Sequence, residues 1–181
     1  MTTQNESAYI DESAIYDAAI EPQYLIKESK FLLLSILTFG FYPIWWVYKT
    51  WGFFIQKERS DANPAIRVIF NIFFLLPLLN RIQKFARQKG YQGKSYPMFS
   101  FILITVISFC SLFPPPFFLI CILTCVFLLP AVKALNYAIQ QSPEILFYED
   151  EGLRTRQMVL VVIGSIFWVF VVIGLIGLAI K

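Results

Sequence analysis

The 181-residue chain is 57% hydrophobic and 18% aromatic but only 15% charged, with a mean hydropathy of +0.63. Soluble domains of this length carry about 25% charged residues, so lipid rather than water is the expected solvent, and a net charge of +3 is too small to point to nucleic acid. Histidine is absent, which removes the usual catalytic triads and most zinc sites.

Residues 1–29 are polar and acidic, with Glu6, Asp11, Glu12, Asp17, Glu21 and Glu28 against Lys27. No basic region leads into an apolar core, so a signal peptide is not expected; the composition predicts a mostly disordered tail. The first apolar run starts at Phe31 and extends to Ile55 if Lys49 snorkels. It is long enough to cross a hydrocarbon layer of about 30 Å, with a kink expected at Gly40 and Pro43. Tyr42, Trp45, Trp46, Tyr48, Lys49 and Trp51 crowd its second half. Amphipathic rings and a cation favour the headgroup level, so these six residues are read as a membrane-interface belt in preference to a cage for a cationic ligand.

A basic connector with Lys57, Arg59 and Arg67 leads to Val68–Leu79. That run reaches only about 20 Å as a helix, which suits a re-entrant or interfacial segment over 66–90 better than a crossing. Its continuation sets Leu78, Leu79, Ile82, Phe85 and Ala86 on one face and Arg81, Lys84, Arg87 and Lys89 on the other. This pattern predicts a basic amphipathic helix lying on an anionic leaflet through those four cations. Residues 95–132 hold no charge and are interrupted by Pro114, Pro115 and Pro116. Three prolines cannot continue a helix, so a hairpin is expected, with spans at about 97–113 and 117–139. A polar loop follows, and the uncharged run Met158–Ile180 reads as a last span at 158–180.

The chemistry on offer is sparse. Cys110, Cys121 and Cys125 lie in apolar runs and read as small packing residues. Glu144, Glu149, Asp150 and Glu151 beside Arg154 and Arg156 read as a solvated mixed-charge loop in preference to an acid/base or divalent-cation site. Asn71, Thr105, Ser108, Ser111, Thr124 and Asn136 can line a path but more often bond to their own or a neighbouring helix. The apolar spans carry no Asp, Glu or His, which argues against a proton-coupled carrier. No cofactor or metal is expected.

The string SILTFGFYPIWWVYKTW resembles the L-T-x-G-x-Y-x-x-x-W-x-Y-K-x-W signature of small bacterial inner-membrane proteins of unknown function. It matches at Leu37, Thr38, Gly40, Tyr42, Trp46, Tyr48, Lys49 and Trp51. Asn63, Pro64 and Arg67 also resemble that group, in which a tryptophan often precedes the arginine; here Ile66 stands in that place. The resemblance covers roughly residues 30–90 and implies a bacterial inner-membrane location without implying an activity.

The expected fold is all-α, a polytopic membrane helical bundle of about four transmembrane helices with one interfacial or re-entrant segment. Counting Lys and Arg favours an arrangement with the acidic tail outside and the basic middle of the chain in the cytoplasm. The alternative makes Phe31–Tyr48 a hairpin bent at Gly40 and keeps the tail inside. The expected role is a non-catalytic accessory or scaffold protein contacting the bilayer, anionic lipids and another membrane protein or itself. A small transporter or channel subunit, or a lipid-acting enzyme, is the alternative.

Overall fold

The computed structural model describes residues 20–58, 63–94, 96–114, 117–149 and 155–179. Most of these residues are helical, as expected. The predicted disordered tail lies outside the described residues up to residue 19. From Ile20 onward the chain already belongs to the fold. β1 (Gln23–Leu25) pairs in parallel with β2 (Phe147–Glu149), Tyr24 opposite Tyr148. A two-stranded ribbon is marginal by itself. This one is anchored by buried Leu25 and Ile26, by stacking of Tyr24 on Tyr148 at 5.5 Å, and by Asn136, whose Nδ2 donates to the Ile26 carbonyl at 2.8 Å.

The first predicted span, 31–55, is not one helix. The chain forms α1 (Glu28–Leu37) and α2 (Phe41–Glu58), joined by a reversal at Thr38–Gly40. At this reversal Gly40 N–H donates to the Ser35 carbonyl at 2.9 Å and Phe39 N–H to that of Ile36 at 3.2 Å. This paired closure ends a helix by sending the chain through left-handed backbone. Gly40 has φ +83, and Phe39 occupies the same region at φ 54. The Thr38 hydroxyl joins the two helices, donating to the Leu34 carbonyl at 2.8 Å and accepting from Tyr42 N–H at 2.9 Å. The expected kink is therefore a complete turn, and Phe31 packs edge-on against Tyr42 and Trp46 across it.

Asn63 caps α3 (Pro64–Ile69), its Oδ1 accepting from Ala65 N–H at 2.8 Å, with Pro64 in the first turn where no N–H is needed. α4 (Asn71–Gln88) follows after a break at Phe70. It closes with the same paired motif as α1, here with Gly90 in the left-handed position at φ +91. The predicted apolar stripe is real: Leu78, Leu79, Ile82, Phe85 and Ala86 are all buried, together with Leu75. The face they meet is not a membrane surface, however. α4 packs along α6, and Phe85 meets Phe53 and Phe54 of α2. A 3.6-residue period reports that one face is sheltered, and protein shelters it here.

The triple-proline hairpin takes the expected form. α5 (Pro97–Cys110) leads into a turn at Ser111–Pro114, and a 3-10 helix (Phe117–Leu123) runs into α6 (Thr124–Gln140). Residues 115 and 116 lie outside the described residues. α5 has 14 residues, a rise of about 21 Å, which falls short of the predicted 97–113 span. Two of the four expected spans are long and apolar enough to cross a membrane: Leu119–Gln140, and Gln157–Gly177 within α7 (Thr155–Ala179).

α6 forms the centre of the core, packed by α1, α4 and α5. α7 crosses α1 at Gly164, where an added Cβ would collide with the Leu37 carbonyl oxygen. Phe39 fits beside Phe167 and Trp168, with centroids 5.0 and 4.5 Å apart. Trp168 Nε1–H donates to the Ile36 carbonyl at 3.0 Å, capping a carbonyl at the end of α1. The strained backbone at Phe39, worth about 1–2 kcal/mol for a residue other than glycine, is offset by these contacts.

Candidate functional site

Charge collects at one end of the molecule. Glu21 N–H donates to Gln56 Oε1 at 3.2 Å, and Glu28 pairs with Lys133 at 3.2 Å. Glu58 pairs with Arg81, and Lys89 with Glu144 at 2.8 Å. These contacts join the start of α1, the end of α2, the second half of α4 and the loop after α6. Residues 21–28 therefore share an end with the basic middle of the chain, a placement that the hairpin bent at Gly40 allows. The reason lies in the left-handed turn, which returns the chain to the end it came from.

Of the four cations assigned to anionic lipid, Arg81 and Lys89 are committed to Glu58 and Glu144. Lys84 and Arg87 are exposed and line an open groove of about 510 Å³ with Asn80, Gln83 and Gln88. The hydrogen bond from Lys89 holds the Glu144 carboxyl below the usual glutamate range. Lys57 lies over the face of Phe85 at 3.1 Å, and burial, reinforced by the nearby charge of Lys89, holds its ammonium below the usual lysine range.

The predicted aromatic belt divides in two. Trp45, Tyr48 and Lys49 face outward or lie half-buried; the two rings stack at 5.7 Å and the Lys49 ammonium lies 5.5 Å from the Trp45 ring. Tyr42, Trp46 and Trp51 are buried, at 7%, 8% and 1% exposure, and belong to the core rather than to an interface. The helical period forces this split, since 42, 46 and 51 fall on the inward face of α2 and 45, 48 and 49 on the other.

Trp51 is the focus of a constellation that spacing alone did not reveal. The Arg67 guanidinium lies over its ring at 4.2 Å and that of Arg81 at 5.5 Å, with Phe74 edge-on at 6.4 Å. Trp51 Nε1 and Arg67 Nη1 are both buried without a hydrogen-bond partner. An unfilled buried donor costs about 1–3 kcal/mol. Burial first, and the charge of Arg81 second, hold Arg67 below the usual arginine range. Ile66, just before Arg67, is exposed, and the ring under Arg67 comes instead from Trp51 on α2. A contact between residues 16 positions apart on different helices leaves no local signature. The signal available was Arg67 and Arg81 bracketing an apolar run.

Polar groups within the apolar helices bond mostly to their own backbone. Ser108 donates to the Ile104 carbonyl at 2.8 Å, Ser111 to Ser108 at 2.7 Å and Thr124 to Cys121 at 2.6 Å, whereas Asn136 reaches Ile26. Thr105 and Ser108 border an apolar groove of about 260 Å³ between α4 and α5. Glu149 lies on β2; Asp150 and Glu151 lie outside the described residues. Among the described residues, no three carboxylates or thiols group to hold a metal ion. Compared with family models, curated proteins and solved structures, the chain matches none.

Proposed function

We propose that this chain is a multi-pass protein of the bacterial inner membrane, acting as a non-catalytic accessory or scaffold component that contacts the bilayer, anionic lipid and a second membrane protein or copy of itself. The observation that carries this reading is α7. Its apolar stretch has a mean hydropathy of 3.0, yet Gly164 is its one buried residue among the described side chains. Ile163 is 58% exposed and Phe170 66%. Water would penalise such a surface at about 25 cal/mol per Å², whereas hydrocarbon or another apolar helix would not. The resemblance at residues 30–90 supports the inner-membrane placement.

In this reading the charged end is cytoplasmic, because it gathers the cations. α1 and α2 then form a re-entrant hairpin whose two ends return to the cytoplasmic side. Outward-facing Lys84 and Arg87 meet the anionic leaflet, each worth about 1 kcal/mol. Trp45, Tyr48 and Lys49 form what remains of the interfacial belt.

The test is alkaline carbonate extraction of membranes followed by solute flux in proteoliposomes of the purified chain. Retention in the pellet with no flux above empty liposomes is expected. Release into the supernatant would reject the membrane placement, and solute-specific flux would replace the accessory role with a transporter or channel.

A further inference from the structure

The indole of Trp51 and the guanidinium of Arg67 share an unusual condition. Both bury a donor that no acceptor reaches, and they lie in contact, the Arg67 carbon 4.2 Å from the ring centre. Indole and guanidinium nitrogens donate only. Arg81 brings a second guanidinium to the same ring, and among the described residues Glu58 is the one carboxylate paired there, through Arg81. Among the described residues the cluster thus holds two positive charges against one negative, and its vacant donors belong to Trp51 and Arg67, which Glu58 does not bridge.

We propose that the Trp51–Arg67–Arg81 cluster binds a phosphate-type oxyanion, supplied by a phospholipid headgroup or as free phosphate. A guanidinium fork matches phosphate oxygens bidentately. A tetrahedral anion also offers acceptors in several directions, as separate donors on an indole and a guanidinium require. The surroundings favour the headgroup as source. Ile66, Ile69, Phe70 and Phe73 flank Arg67 along α3 and the start of α4, and all are exposed. An apolar outer surface beside a charged cluster suits the boundary between acyl chains and headgroups. The inference goes beyond the function proposed above, where anionic lipid meets exposed Lys84 and Arg87 through charge alone. It rests only on the membrane placement, which carbonate extraction tests separately.

Native mass spectrometry in detergent, with added phosphatidylglycerol, measures lipid retained per chain, and thermal unfolding with inorganic phosphate or acetate measures the free anions. The wild type is expected to hold one phosphatidylglycerol tightly. Arg67→Gln weakens it about tenfold or more, the loss of a charge-assisted hydrogen bond. Trp51→Phe keeps a ring under Arg67 but removes the N–H, and weakens retention severalfold. Lys84→Gln with Arg87→Gln leaves this lipid in place while lowering salt-sensitive association with anionic vesicles.

Stabilisation by inorganic phosphate, absent in Arg67→Gln, identifies free phosphate as a ligand. Response to phosphatidylglycerol alone identifies the headgroup. Should Arg67→Gln fail to fold, Arg67→Lys, which keeps the charge and loses the fork, replaces it with the same expected direction. Retention and phosphate response equal to wild type in Arg67→Lys and Trp51→Phe overturn the proposal. So does a wild type that responds to neither probe, or that responds to acetate as strongly as to phosphate.

Discussion

In α6, Cys125, Leu128, Ala131, Val132, Ala134, Leu135 and Ala138 form a buried stripe against α1, α4 and α5; in α7, Gly164 alone is buried among the described side chains. Yet the apolar stretch in α7, Gln157–Gly177, has a mean hydropathy of 3.0 against 2.1 for Leu119–Gln140, the stretch that contains α6. Apolar composition therefore reports the solvent a helix meets, and small side chains report whether it packs. The three alanines of α6 let neighbouring helices approach closely, a device common where lipid tails give no drive for apolar association. α7 is mostly Val, Ile, Leu and Phe, and its single close approach falls at a glycine.

The contrast can be broken most severely in α6. Leu128→Ala is expected to cost about 3 kcal/mol of stability, within the range for large-to-small core changes. Ile166→Ala in α7 is expected to cost less than about 0.5 kcal/mol. Unfolding in mixed detergent micelles measures both, and equal costs would erase the distinction. Gly164→Val strikes the one crossing. Because the added carbon meets a backbone oxygen of α1, α7 is expected to shift or detach, at a cost of about 1–3 kcal/mol. The readout is disulfide formation between cysteines placed at Phe39 and Phe167 in a chain whose native cysteines are replaced, falling strongly when position 164 is Val.

A smaller effect sharpens the same junction. Trp168→Phe keeps most of the ring contact with Phe39 but removes the hydrogen bond to the Ile36 carbonyl, for about 1 kcal/mol. The smallest effect lies at the charged end. The Glu144 carboxyl is held below its ordinary value by Lys89, so the folded state binds that proton less readily than the unfolded chain. Its contribution is present above about pH 4.3, the ordinary glutamate value, and fades as pH falls through the lower folded value. The pair is exposed, so the effect is slight. Carboxyl-carbon NMR titration checks the direction, and Lys89→Gln returns Glu144 toward the ordinary value.

Legibility in the sequence followed locality. The turn at Pro114, the terminal helix and the buried stripe Leu78–Ala86 were each written in a contiguous pattern of charge, proline or period. The partner of that stripe was not, because Phe85 presents the same face to lipid or to Phe53. The reversal at Gly40 was visible only as a possible bend. Its completion depends on Phe39 adopting left-handed backbone, held by rings 128 and 129 positions later in the chain. The β1–β2 pairing and the Trp51–Arg67 stack are likewise long-range and leave no periodic trace. Half of the expected belt, Tyr42, Trp46 and Trp51, is buried, because a cluster of aromatic residues on one helix must divide between its two faces, and composition does not say which face is inward.

With one buried position among its described side chains, α7 is expected to meet hydrocarbon on nearly every side. Spin labels placed singly at Ile163, Ile166, Val169 and Val172, exposed positions that the helical period fans around about half of the helix, test it most directly in nanodiscs, by relaxation with dissolved oxygen and with a water-soluble nickel chelate. Ready collision with oxygen and exclusion of nickel are expected at all four positions. Nickel access comparable to that of a label on Arg87 would contradict it.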